Sequence, residues 1–267
     1  PIYGGCMYHS PVSGKYYYFV NWKSGIWQQI ELTSSGSSVT GTSVRTADAG
    51  GQTEGCVADD VHKLYYIGEE AIGVWRYGAE PGDGSTRVKV SGSEQTPDTE
   101  GMSLYYKSDN SGYLIVSSQG DSTYSVYNRI PPSATQANTL IGRFEVTANG
   151  AVDAVSSTDG LDVTNFALGS AFPQGLLVVH DASNGGTSNH KFVPFQNVAT
   201  SLNLTLDTTW DPRKIGASPG TTPPIPTPTN TNNNVTVQPT PTVTPTITPT
   251  GSTPTTPPGT TCAKKNI

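Results

Sequence analysis

The sequence predicts an all-β fold: four blades of a β-propeller, followed by a disordered Thr/Pro-rich tail. Three observations carry this. The 267 residues hold 29 Gly, 21 Pro and 13 Tyr, with little Leu or Ala, a composition that disfavours a helical protein. A polar or acidic residue followed by Gly recurs four times, at spacings of 51, 46 and 59 residues. Every acidic residue and 13 of the 15 basic ones lie before Ala217, so the charged, aromatic part of the chain ends there.

The repeated starts are Tyr3-Gly4-Gly5-Cys6, Glu54-Gly55-Cys56-Val57, Glu100-Gly101-Met102-Ser103 and Asp159-Gly160-Leu161-Asp162. The first leads into GKYYYFVNWKSGIWQQIEL and the second into KLYYIGEEAIGVWRYGAE. The third leads into GYLIVSSQGDSTYSVYNR, and the fourth into QGLLVVHDASN and then HKFVPF. These runs cluster β-branched and aromatic residues between Gly, Asn, Asp and Ser, which reads as short strands joined by turns. A unit of about 40 to 50 residues with four short strands has the size of a propeller blade. Four such units fit within residues 1–216, as a closed four-bladed ring or as part of a six-bladed one; periodicity alone allows both.

Ala217–Thr261 holds 17 Thr and 12 Pro with no charged or aromatic residue, so it offers nothing to bury. Repeated Thr-Pro favours extended, polyproline-like backbone, and the segment reads as a spacer of the kind often O-glycosylated in secreted proteins. Residues 262–267 read as the start of an unknown further segment, and both ends of the chain as cut. Sequons at Asn203 and Asn234 weakly support secretion.

Composition also excludes functions. No stretch approaches the ~18 consecutive apolar residues of a membrane span. Residues 1–216 carry 13 basic and 21 acidic residues, a net charge of −8, which argues against nucleic-acid binding. Three cysteines are too few for a disulfide scaffold, and Cys6 and Cys56 either pair or sit buried as small hydrophobes. Gly216-Ala217-Ser218-Pro219-Gly220 matches G-x-S-x-G but opens a Pro-rich spacer, where a nucleophile elbow needs a strand before it and a helix after it. His9, His62, His180 and His190 lack metal-ligand spacing and suit packing or surface roles.

The acids carry the functional signal. In a propeller the first strand of each blade lines the central channel, so Tyr3, Glu54, Glu100 and Asp159 are expected to gather around one axis. Glu70, Asp98, Gln119 and Asp153 lie close to that ring in sequence or in the loops after its strands. Clustered carboxylates raise one another's pKa and stay ionised together only with cations. Their hard oxygen donors suit Ca²⁺ rather than Zn²⁺.

The segments QTEGCVADDVHKLYYIGEEAIGVWRYGAEP, TPDTEGMSLYY, GYLIVSSQGDSTYSVYNR and STDGLDVTNFALGSAFPQGLLVVHD closely resemble the alkaline β-propeller phytases. So do YHSPVSGKYYYFVNWKSG near the start and the closing DPRKIG. The resemblance implies a six-bladed propeller and a 3-phytase-type phosphomonoesterase, acting on calcium phytate (myo-inositol hexakisphosphate) at one end of its channel. It implies Ca²⁺ ligands at Tyr3, Glu54, Glu70, Asp98, Glu100 and Gln119, with Asp153 and Asp159 in the same calcium and phosphate site. Glu54, Asp98, Glu100 and Asp159 would carry the chemistry through a metal-activated water, and Lys23 and Asp153 would face substrate.

The family's D-D-P-A motif and further basic residues of its first two blades have no counterpart here, and Ser157 stands where the family often has Asp. The insertion IPPSATQANTL follows the strand of Tyr127. The 267 residues are therefore expected to be inactive alone, and the complete ring to be an active, secreted monomer, with the tail as a surface tether. Two other readings are a non-catalytic calcium-binding propeller on a stalk and a lactonase-like propeller. Retention of every matching ligand position favours the phosphatase.

Overall fold

The computed structural model describes residues 1–211 and the backbone of a short strand at 264–266. The expected spacer at Ala217–Thr261, the Asn234 sequon and most of DPRKIG lie outside the described residues.

Four antiparallel sheets follow one another along the chain. The first contains β1 (Ile2–His9), β2 (Tyr16–Trp22), β3 (Ile26–Ser35) and β4 (Ser38–Asp48). The second contains β5 (Thr53–Asp59), β6 (Leu64–Glu69), β7 (Gly73–Gly78) and β8 (Arg87–Lys89). The third contains β9 (Thr99–Tyr106), β10 (Gly112–Ser118), β11 (Thr123–Asn128) and β12 (Leu140–Glu145). The fourth has three strands, β13 (Leu161–Thr164), β14 (Leu176–Asn184) and β15 (Thr187–Pro194), followed by helix α1 (Phe195–Leu202). Strand β16 (Lys264–Asn266) pairs in parallel with the outer edge of β12. In each sheet the strands pair in chain order, which is the up-and-down pattern of a propeller blade.

The second and third sheets cluster apolar residues because both of their faces are covered, whereas the first and fourth are each packed on one face. Successive strand residues point to opposite faces. Tyr65 and Ile67 pack with Tyr8, Phe19, Trp27 and Tyr77 between the first two blades. Tyr66 instead joins Val74, Met102, Leu104, Leu114 and Tyr127 between the second and third. In the same way Tyr113 and Ile115 turn toward the fourth blade, against Leu177, Val179 and Phe195. The first of these layers is aromatic: Phe19 stacks on Tyr65 at 3.9 Å, and Trp27 meets Tyr77 edge-on at 5.0 Å.

Two polar devices join the blades. Arg129 grips both carboxylate oxygens of Asp59 at 2.6 and 2.7 Å, with both side chains fully buried. Arg76 donates to Gln136 O, Asn138 Oδ1 and Ala134 O, which pins the inserted IPPSATQANTL loop to the second blade.

The inner strands form one row, β1 against β5, β5 against β9, and β9 against β13. The recurring glycine makes this row possible. A Cβ on Gly4 would lie 1.8 Å from the carbonyl oxygen of Glu54, and one on Gly55 would lie 2.2 Å from that of Glu100. A Cβ on Gly101 would lie 2.7 Å from Gly160 Cα and 3.0 Å from Asp159 O. Each Gly thus admits the backbone of the next blade's acidic residue, so the two-residue repeat is a packing rule as well as a chemical one. A disulfide between Cys6 and Cys56 ties β1 to β5 and closes the alternative that these were free, buried thiols.

Candidate cation and phosphate site

The acids that precede the repeated glycines of the second, third and fourth blades sit at or just before the start of their inner strands, so stacking the blades side by side brings the acids together. Glu54 and Glu100 are the second residues of β5 and β9, and Asp159 lies two residues before β13. One oxygen from each of Glu54, Glu100 and Asp159 lies within 4.8 Å of the others. Glu70, Asp98 and Glu100 form a second such group, so Glu100 is shared and sits at the centre. Glu70 comes from the β6–β7 turn and Asp98 from the segment entering β9.

This arrangement is electrostatically costly. Glu100 is buried, and its Oε2 has no hydrogen-bond partner. Burial, reinforced by the negative charge of Glu54, Asp159 and Glu70, pushes its carboxyl up to about 9. Burial also raises Glu54, with Asp159 and Glu70 adding to the effect and hydrogen bonds from Glu100 and Tyr3 opposing it. Among the described residues no Lys or Arg forms an ion pair with Glu54, Glu70, Asp98, Glu100 or Asp159. Five carboxyl groups without a basic partner, one with an orphaned buried oxygen, form a donor set that fits a hard divalent cation.

The remaining sequence-predicted residues divide. Tyr3 lies beside Glu54 and opposes the rise of its carboxyl, and the Lys23 ammonium lies 3.8 Å above the Tyr3 ring, at the rim of the cluster. Lys23 is exposed in the β2–β3 turn and free to meet an anion. Gln119 joins through its backbone, its N–H donating to Asp98 O at 2.8 Å. Asp153 is placed differently: it pairs with Lys191, which also holds Asp181 at 3.0 Å, within the fourth blade. Ser157 has a positive φ of 45°, and its N–H donates to Ser122 Oγ.

Gln52 was not legible as a site residue. It is uncharged, and only its place two residues before Glu54 hints at a role. Its Nε2 lies 2.6 and 2.7 Å from the two carboxylate oxygens of Glu70.

Fold and site together define a β-propeller assembly with a carboxylate cluster at one end of its inner strands and a lysine at the rim. The chain matches the phytase family over residues 1–217 and belongs to that family. It is 38% identical over 210 residues to a 3-phytase of Bacillus subtilis (strain 168), an alignment covering 75% of this chain and 54% of that relative. The chain thus spans about half the length of the curated relative it matches.

Proposed function

We propose that the protein is a calcium-dependent phosphomonoesterase that removes phosphate from phytate, with its chemistry at the Glu54–Glu100–Asp159 and Glu70–Asp98–Glu100 groups. The observation that carries this reading is the convergence of these acids without basic partners, in a chain of the phytase family. Phytate is a polyanion, and residues 1–216 carry a net charge of −8 from 13 basic and 21 acidic residues, so a bare carboxylate cluster would repel it. Ca²⁺ in the cluster would reverse the local field, neutralise phosphate oxygens and acidify a water for attack on phosphorus.

The chain's own residues then have separate tasks. Glu54, Glu70, Asp98, Glu100 and Asp159 hold cations, with the Tyr3 phenol oxygen and Gln119 beside them. Shared Glu100 couples the two groups, so one cation relieves repulsion for both. Lys23, exposed at the rim, orients a phosphate and balances the charge that grows on its oxygens. The disulfide and the Thr/Pro tail support a secreted protein. No helix among the described residues is long and apolar enough to cross a membrane.

Phosphate release from calcium phytate, measured on the full-length protein with and without chelator, tests the reading. Release that stops in chelator and returns with Ca²⁺ is the expected result. Release that is indifferent to chelator rejects the calcium role, and no release under either condition rejects the activity.

A further inference from the structure

We propose that Gln52 is a positioning residue for Glu70, holding that carboxylate in the one orientation that serves the cation cluster. The inference rests on the cation reading above and adds a residue to it. Gln52 precedes β5, whereas Glu70 lies in the turn after β6, so the contact bridges 18 residues.

The hold is made at both ends of each residue. The Gln52 side-chain amide spans both Glu70 oxygens, while the Gln52 carbonyl accepts the Glu70 N–H at 2.9 Å. The Glu70 carbonyl in turn accepts the Thr99 N–H at 3.0 Å, between Asp98 and Glu100. Gln52 therefore locks the turn to the strand that carries the other two acids of its group.

The chemistry of the donor matters. A Lys or Arg at this place would neutralise Glu70 and compete with a cation. An amide donates hydrogen bonds and leaves the carboxylate charge intact. Because Nε2 sits across both oxygens, it occupies the chelating edge of Glu70. The outer lone pairs remain for the cation, which makes Glu70 a one-oxygen ligand. Hydrogen bonds of this kind behind a ligating carboxylate are worth roughly 10–100-fold in metal affinity.

The test is a terbium(III) luminescence titration, with Ca²⁺ displacement, on the full-length protein and on Gln52→Leu and Gln52→Lys, alongside melting curves in chelator. Gln52→Leu should bind about tenfold more weakly. Gln52→Lys should bind more weakly still and melt higher than wild type in chelator, because its ammonium neutralises Glu70 in place of the metal. The lysine variant keeps the test decisive if the leucine variant folds badly. Variants that titrate like a cation-binding wild type overturn the role of Gln52 alone. A wild type that takes up no terbium overturns the cation reading and this inference with it.

Discussion

Replacing Glu100 with Gln should stabilise the protein in chelator and weaken its response to Ca²⁺. Glu100 has an ordinary carboxyl value of 4.5 that rises to about 9 in the fold, through burial and the charge of Glu54. A carboxyl raised in this way favours the folded state at low pH. Its contribution is lost as pH climbs from 4.5 toward 9, because the unfolded chain releases the proton first. At pH 7 the difference is about 3 kcal/mol, an upper figure because solvent on the open side of the cluster screens part of it. The Gln side chain has no proton to lose, and its amide can donate to Glu54. In chelator at pH 7 the variant should therefore melt higher than wild type, at about 2–4 °C per kcal/mol for a domain of this size. Chelated wild type should also lose stability steadily between pH 5 and 9, and the variant should not. In Ca²⁺ most of that gap closes: wild type gains about 2.7 kcal/mol at a hundredfold excess over Kd, and the variant, which lacks the shared ligand charge, gains less. Differential scanning calorimetry in chelator and in Ca²⁺, across that pH range, measures all of this. A variant less stable than wild type in chelator, or equal Ca²⁺ stabilisation of both, refutes the repulsion argument.

Arg129→Met should destabilise the protein by about 3–5 kcal/mol in urea unfolding, because it strands the fully buried Asp59 carboxylate; a loss under 1 kcal/mol would show that water reaches Asp59. Gly55→Ala should lose about 1–3 kcal/mol, since its methyl would lie 2.2 Å from the Glu100 carbonyl oxygen, whereas Gly160→Ala meets open space and should be neutral. Equal effects at the two glycines would contradict the inner-strand packing described above. Replacing both Cys6 and Cys56 with Ser opens a loop of 50 residues and should remove about 4 kcal/mol, read by urea unfolding beside the oxidised wild type.

The strands and their order were legible in the sequence because each blade is built from local pairs. Tyr16–Trp22 and Ile26–Ser35, for example, are joined by a short turn and carry their own β-forming residues. The acid–Gly repeat was legible for a related reason: the first three inner strands each pass close to the next, and at Gly4, Gly55 and Gly101 only Gly leaves room. Repetition therefore marked Glu54, Glu100 and Asp159 before any contact was visible. Asp153 carries no such mark. Lys191, 38 residues away on β15, offers it a direct charge partner within the same blade. The tertiary structure alone decided the pairing of Cys6 with Cys56, the grip of Arg129 on Asp59 across 70 residues, and the place of Gln52 behind Glu70. Each depends on how one blade is set against the next or on how a turn folds back over a strand entry. Hydrophobic periodicity fixes which face of a strand is buried; which side chain it meets there is set by the stacking of whole sheets.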